Sequence, residues 1–226
     1  MSLIVKICGL STPQALDVAL EEGADMVGFV FFEPSPRNIS PATARALGAR
    51  VEKRGRKVAL TVDADDDELS EIVGALSPDL LQLHGKESPE RVATLKERFG
   101  LPIIKALGVE AKSDFEQVKE YAAVANWLLF DAKGPVEATR PGGLGKPFDW
   151  VLLGGAVPDK PIMLSGGLDA RNIAEALQIT RVPAVDVSSG VESSPGKKDV
   201  QKIREFILAA RQAHAHLPPY EVVRNP

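Results

Sequence analysis

The chain has 226 residues, 44% of them hydrophobic and 26% charged, with a formal net charge of −4 and an isoelectric point near 5.5. This length fits one large domain or two small ones, and the mild acidity gives no basic face for nucleic acid. Its single cysteine excludes an internal disulfide, its apolar runs are too short to span a membrane, and its start has no signal-peptide layout, so we expect a soluble, cytoplasmic protein.

Eight apolar, β-branched runs alternate with helical patterns along the chain. They span residues 3–8, 26–32, 57–62, 80–85, 102–107, 127–131, 161–167 and 184–190. Near-continuous apolar strands are typical of a parallel sheet buried on both faces. Eight strand–helix units with right-handed crossovers predict a single closed (β/α)8 TIM barrel, with an open doubly wound sheet as second choice. We assign residues 1–212 to the barrel and 213–226 to a C-terminal tail of unassigned function.

The helices between these runs are predicted from caps and apolar stripes. A hydroxyl residue precedes a proline at Thr12-Pro13, Ser40-Pro41 and Ser88-Pro89, a pattern that favours a helix start. Apolar stripes indicate two further helices, one with Leu69, Ile72, Val73 and Leu76 and one with Val200, Ile203, Ile207 and Leu208. The sixth helix is the weakest prediction, because its segment FDWVLL is short.

Several strands carry polar residues on one face and apolar residues on the other. The polar pairs are Lys6 with Cys8, Gln82 with His84 and Asp186 with Ser188. Because side chains alternate along a strand and the apolar faces suit the outer helices, these polar faces should point into the barrel. A buried lysine and a buried aspartate are costly unless paired, so we expect Lys6 to pair with Asp186 in support of the site.

Four of the polar residues lie where their strands end, which is the catalytic face of such barrels. They are Cys8, His84, Asp131 and Ser188. No second ligand lies near His84 at a metal-site spacing, so we expect a supporting role for it and no metal site. Asp131, followed by the long glycine-containing stretch 132–147, is a stronger candidate for catalysis.

The loops after strands seven and eight predict a phosphate site. Their segments LSGGL and VSSGVE supply Gly166, Gly167, Ser188, Ser189 and Gly190. Glycines let backbone N–H groups approach an anion, and serine hydroxyls add further donors. A third segment, PGGLG with Gly143 and Gly145, would either help to cover the ligand or form a flexible loop.

A phosphorylated substrate anchored there would lie between Asp131 and Cys8. A carboxyl and a thiol that face each other across a substrate suit a general acid and a general base. Arg37, in the segment EPSPR after strand two, would either hold a second anionic group by a bidentate contact or be a solvated loop residue.

Together these segments resemble the phosphoribosylanthranilate isomerase family of tryptophan biosynthesis. The resemblance runs in order through VKICGL, FFEPSPRNI, LLQLHG, LLFDAK, PGGLGKPFDW, LSGGLDARNI and VDVSSGVESSPGKKD. It implies an Amadori rearrangement of N-(5'-phosphoribosyl)anthranilate without cofactor, with Cys8 as general base and Asp131 as general acid. It implies further that Arg37 binds the anthranilate carboxylate. A lowered thiol pKa would help the base, and Lys6 is the candidate cation for lowering it.

Other reaction classes predict different residues. A histidine-pathway aminoaldose isomerase would have a carboxylate in place of Cys8, and a ribulose-phosphate epimerase would need metal-binding histidines at strand ends. An indole-glycerol-phosphate synthase would need catalytic lysines, for which Lys6 and Lys105 are the candidates. A phosphate-binding protein without activity is the non-enzymatic alternative. A monomer and a homodimer both remain open.

Overall fold

The computed structural model describes residues 2–133, 148–153 and 160–217, and in it eight parallel strands close into a barrel. The strands are β1 (Ile4–Cys8), β2 (Met26–Phe31), β3 (Arg56–Thr61), β4 (Leu80–Leu83), β5 (Ile103–Val109), β6 (Trp127–Ala132), β7 (Ile162–Leu164) and β8 (Ala184–Val187). Each strand pairs with the next in sequence, and β8 pairs with β1. The predicted barrel is confirmed. Strands four, seven and eight are shorter than predicted, because the residues after Leu83, Leu164 and Val187 leave the sheet to form site loops.

Helices follow the strands on the outside of the barrel. They are α1 (Pro13–Glu21), α2 (Pro41–Val51), α3 (Asp66–Leu76), α4 (Pro89–Phe99), α5 (Val118–Val124), α6 (Ile173–Thr180) and α7 (Val200–Ala215). The three predicted caps are confirmed, because the hydroxyls of Thr12, Ser40 and Ser88 each accept a hydrogen bond from a backbone N–H three residues on. The doubtful sixth segment contains only a short 3-10 helix, Trp150–Leu153, within the described residues.

Two details of the last helix differ from the prediction. The helix α7 continues to Ala215, beyond the predicted boundary at residue 212. Leu208 is 57% exposed, and Phe206 takes its place in the buried stripe. The helical period explains this, since Ile203, Phe206, Ile207 and Ala210 fall on one face and Leu208 on the other. Within residues 2–133, 148–153 and 160–217, no helix has the length and hydropathy to cross a membrane.

The interior of the barrel changes from apolar to polar along the strands. Eight inward side chains fill its amino end, namely Met26, Val58, Leu80, Ile104, Ala106, Leu129, Met163 and Ala184. Lys6, Gln82 and Asp186 lie above them, followed by Cys8 at the carboxyl end. The apolar layer supplies a rigid floor, so the polar side chains are held at the face where the loops converge.

A second buried lysine lies on the outer face of β5. Lys105 is 1% exposed, and its Nζ donates to the Glu87 carboxylate at 2.7 Å and to the Gly85 carbonyl at 2.7 Å. Glu87 also accepts hydrogen bonds from the backbone N–H groups of Asp63 and Gly85. This cluster therefore fixes the loop that follows His84, and Lys105 does not reach the barrel interior as a catalytic lysine would.

Replacing Lys105 by Met should destabilise the protein by roughly 3–5 kcal/mol, because it leaves the buried Glu87 carboxylate without its cation. Urea unfolding measures this loss. The double variant Lys105→Met/Glu87→Gln should recover part of it. Lys133→Met, which breaks an exposed pair with Asp114, is the control and should cost far less. An equal loss in Lys105→Met and Lys133→Met would contradict a stabilising role for the buried pair.

Candidate active site

A cavity that is open to solvent at its mouth lies at the carboxyl end of the barrel. Most of the predicted site residues line it, namely Cys8, Arg37, His84, Asp131, Gly166, Gly167, Asp186, Ser188 and Ser189. Gly143 and Gly145 lie outside the described residues. The strand alternation thus brings the predicted acid, base and anion-binding groups to one cavity.

Lys6 and Asp186 form a buried ion pair beneath this cavity. Their Cα atoms are register partners across β1 and β8, and Lys6 Nζ donates to Asp186 Oδ1 at 2.8 Å. Lys6 has no exposed surface, and Asp186 is 4% exposed. Ser165 Oγ donates to the second carboxylate oxygen at 3.4 Å. The predicted pairing is confirmed, and with Ser165 it connects β1 and β8 to the loop after β7 at the level of the site.

Cys8 lies above Lys6 in a space that Gly28 leaves open. A Cβ added at Gly28 would lie 2.9 Å from Cys8 Sγ and 3.2 Å from Lys6 Nζ. Burial raises the pKa of the Cys8 thiol, whereas the charge of Lys6 lowers it, Asp186 raises it and Lys198 lowers it, and the net pKa is raised. Burial therefore outweighs the expected lowering of the thiol pKa by Lys6. The Asp186 carboxylate also offsets part of the effect of the lysine charge. The thiol is protonated near neutral pH in the free protein.

Asp131 lies near the end of β6 across the cavity, and its carboxyl group has two close polar contacts. Its Oδ1 accepts from the backbone N–H of Ala132 at 2.9 Å, and its Oδ2 lies 3.2 Å from His84 Nε2. Gln82 Nε2 lies 3.1 Å from His84 Nδ1. The His84 ring therefore lies between the Gln82 amide and the Asp131 carboxyl group, with one ring nitrogen facing each. His84 thus orients the carboxyl group.

The loops after β7 and β8 form the wall between Asp131 and Cys8. Gly166 and Gly167 have φ values of +88° and +65°, which L side chains rarely adopt. Ser188 Oγ donates to the carbonyl of Cys8 at 3.1 Å, which fastens loop eight to β1. Gly190 does not line the cavity. A Cβ there would overlap the carbonyl of Leu168, so this glycine lets the two loops pack together.

Arg37 is buried at the cavity wall rather than solvated. It is 4% exposed, and its Nε and Nη2 donate to the two carboxylate oxygens of Glu192 at 2.7 and 2.8 Å. Lys198 Nζ donates to the same carboxylate at 2.9 Å. Burial by itself raises the pKa of Glu192, but the combined effect of Arg37 and Lys198 is larger and lowers it. The net pKa is therefore lowered, and the carboxylate stays charged.

Sequence reasoning missed Glu192 and Lys198 as site residues. They belong to a hairpin of β9 (Glu192–Ser194) and β10 (Lys197–Lys198). No alternation of apolar and polar residues predicts this hairpin. Both lie in the segment VESSPGKKD, which was identified only as part of a resemblance. The signal that could have found them is a pair of opposite charges on either side of a Pro-Gly turn. In the described ranges, no group of three or more His, Cys, Asp and Glu side chains is placed to hold a metal ion.

Comparison with known proteins gives consistent matches. A model of the family described as N-(5'phosphoribosyl)anthranilate (PRA) isomerase matches residues 5–209. The isomerase of Nitrobacter winogradskyi is 62% identical over 96% of this chain and 96% of its own length, and that of Bradyrhizobium diazoefficiens is 59% identical over 93% and 95%. The crystal structure of the Thermotoga maritima enzyme is 36% identical, with a TM-score of 0.83, over 93% of this chain and 99% of its own.

A second solved structure carries a ligand. It is a phosphoribosyl anthranilate isomerase in complex with reduced 1-(o-carboxyphenylamino)-1-deoxyribulose 5-phosphate. It is 33% identical to this chain, with a TM-score of 0.80, over 93% of this chain and 99% of its own.

The raised pKa of Cys8 predicts that this thiol loses its proton at a higher pH than an ordinary thiol. The thiolate absorbance near 240 nm should rise only above the ordinary thiol value of about 8.5. A Cys8→Ala variant supplies the blank, because Cys8 is the only cysteine. A midpoint clearly below 8.5 in the free protein would show that Lys6 and Lys198 outweigh burial.

Proposed function

The chain belongs to the N-(5'-phosphoribosyl)anthranilate isomerase family, and from this premise we propose that Cys8 and Asp131 perform its reaction as general base and general acid. It is an isomerase enzyme of tryptophan biosynthesis. The observation that carries the proposal is the placement of Cys8 and Asp131 on one cavity, on either side of the β7 and β8 loops. The complex of a relative with a reduced form of the product supports the choice of ligand.

The two anionic ends of the substrate have separate partners in this proposal. The phosphate binds to Gly166 and Gly167 on one loop and to Ser188 and Ser189 on the other, where all four line the cavity. The carboxylate of the anthranilate binds to the guanidinium of Arg37. The aromatic ring lies on apolar side chains that line the same cavity, which are Val30, Phe32 and Leu60. The ribose then spans the distance between the acid and the base.

The rearrangement starts at the ring oxygen of the ribose. Asp131 protonates that oxygen, the C1–O bond breaks, and the amine nitrogen lends its electron pair to form a C1=N iminium. The Cys8 thiolate removes the proton on C2, and the C2–H electrons move toward the iminium nitrogen to give an enolamine. The enol loses its hydroxyl proton and C1 gains one, which gives the ketone. The iminium nitrogen accepts the electron pair, so we propose that no cofactor takes part.

Three neighbouring side chains support the acid and the base. His84 holds the Asp131 carboxyl group toward the cavity through its Nε2 contact of 3.2 Å. Lys6 stabilises the thiolate once it forms, because its ammonium is fixed beneath Cys8 by Asp186. Burial lowers the pKa of Lys6, but Asp186 and Cys8 raise it more, so the lysine stays charged. The iminium adds a second cation near the thiol at the step that needs the thiolate.

The same thiol chemistry favours a reducing compartment. A base that acts as a thiolate is lost on oxidation, and Cys8 has no second cysteine in the chain to restore it by exchange. We therefore propose that the enzyme acts in the cytoplasm on a small phosphorylated substrate, with neither nucleic acid nor membrane as partner.

Cys8→Ala and Asp131→Asn should each lower kcat by at least about 100-fold, because each removes one proton-transfer group. The loss of anthranilate fluorescence with freshly prepared N-(5'-phosphoribosyl)anthranilate measures the reaction, and circular dichroism checks the fold. Near-wild-type turnover in either variant would remove that residue from its role. A wild-type protein that binds the reduced product analogue but shows no turnover would favour the non-enzymatic alternative.

The pH dependence of kcat/KM follows from the same thiol. Only the thiolate acts as base, so kcat/KM should rise about tenfold per pH unit up to the raised pKa of Cys8, above the ordinary value of about 8.5. A Cys8→Asp variant, with a carboxylate in place of the thiol, should retain weak activity whose rising limb lies at lower pH. The same rising limb in wild type and Cys8→Asp would assign it to another group.

A further inference from the structure

The cluster of Arg37, Glu192 and Lys198 contains a group that the reaction itself does not use. We infer that Glu192 is a positioning residue that sets the orientation of Arg37 and so makes the site selective for a substrate that carries a carboxylate on its aromatic ring. This inference rests on the proposed role of Arg37 in binding that carboxylate. Glu192 touches neither the acid nor the base, and it acts through Arg37 alone.

The geometry of the pair fixes the plane of the guanidinium. Two parallel hydrogen bonds, from Nε to Oε1 at 2.7 Å and from Nη2 to Oε2 at 2.8 Å, allow one orientation of the planar fork. Both side chains are at least nine-tenths buried, so water does not loosen the contact. Glu192 thus occupies the Nε–Nη2 edge of the guanidinium and fixes the plane in which Arg37 can meet a ligand.

Lys198 keeps the Glu192 carboxylate from turning with Arg37. Its Nζ donates to Glu192 Oε1 at 2.9 Å and to the carbonyl of Ser188 at 2.8 Å. The lysine side chain is 2% exposed. One end of the cluster is thus fastened to loop eight, next to the proposed phosphate site. The orientation of Arg37 is set from that loop rather than by the arginine stem alone.

Two glycines let the surrounding backbone close on the cluster. Gly196, at φ +81° in the turn of the β9–β10 hairpin, lies so close to Pro36 that a Cβ there would overlap its carbonyl oxygen. Gly9, at φ +77°, would place a Cβ 2.6 Å from Arg37 Cδ. The hairpin, the loop of Arg37 and the end of β1 therefore meet around one side chain. Such close packing suits a group that must hold a ligand in one direction.

A pair of ligands separates positioning from simple stabilisation. The probes are reduced 1-(o-carboxyphenylamino)-1-deoxyribulose 5-phosphate and its phenylamino analogue, which lacks the carboxylate but keeps the phosphate. Calorimetry measures both dissociation constants for wild type, Glu192→Gln, Arg37→Met and the exposed control Glu175→Gln on α6. Glu192→Gln should weaken the carboxylated ligand by roughly 10- to 100-fold, the range of a charge-assisted hydrogen bond, and barely change the analogue. Glu175→Gln should change neither.

Kinetics give the second readout. Glu192→Gln should raise KM for N-(5'-phosphoribosyl)anthranilate by a similar factor and leave kcat within about threefold, because the acid and base are untouched. Glu192→Asp keeps the charge, but its side chain is too short to make both hydrogen bonds, so it should show the same selective loss. This variant provides the test if Glu192→Gln does not fold.

The outcomes separate this inference from the function on which it rests. Equal weakening of both ligands by Glu192→Gln and Glu192→Asp would reduce the pair to a structural ion pair and overturn the inference. The inference would also be overturned if both Glu192 variants kept the full wild-type preference for the carboxylated ligand over its analogue while Arg37→Met abolished that preference. A wild-type protein that binds both ligands equally would instead refute the proposed role of Arg37, and the inference would fail with it.

Discussion

An ammonium group with no exposed surface has to be paired, and the active face of this barrel is arranged around that requirement. Lys6 lies inside the barrel, and its partner Asp186 is its register neighbour on the adjacent strand. The free-energy cost of removing two charges from water is offset only when the charges are close and well oriented. The closed sheet places Lys6 Nζ 2.8 Å from Asp186 Oδ1. Barrel closure between β1 and β8 and the placement of Cys8 above Lys6 are therefore parts of one arrangement. A shift in the register of β1 against β8 would separate Lys6 from Asp186 and would at the same time displace the thiol of Cys8.

Glycines decide how closely the parts of the site approach one another. Gly28 leaves the space that Cys8 and Lys6 fill, and Gly166 lies so close to Ala132 that a Cβ would crowd its backbone. Gly190 and Gly196 do the same for loop eight, against the loops after β7 and β2. The contacts of Gly190 and Gly196 join loops that follow different strands, whereas those of Gly28 and Gly166 are made to the neighbouring strands β1 and β6. The site is thus as rigid as the contacts between its loops, although most of its residues lie outside regular strands.

The periodic part of the structure could be predicted from the sequence, and the remainder depended on distances between loops. Alternation along β1 and β8 placed Lys6, Cys8 and Asp186 on the inner face, and the need to pair buried charges joined Lys6 to Asp186. No periodicity connects Arg37 with Glu192, which is 155 positions away, so their ion pair could not be predicted. The direction of the Cys8 pKa shift was equally inaccessible, because it depends on how burial compares with charges whose distances only the structure supplies.

The balance of charges beneath the cavity offers a reason for a thiol at position 8. A carboxylate there would be a second anion beside Asp186 and would compete with it for Lys6. A protonated thiol is neutral, so it can be buried next to the pair without disturbing it. Burial raises its pKa, so little thiolate forms near neutral pH in the free protein, and an additional cation near the thiol would lower that pKa. In the proposed reaction that cation is the iminium of the substrate, which ties the strength of the base to the arrival of the intermediate that it deprotonates.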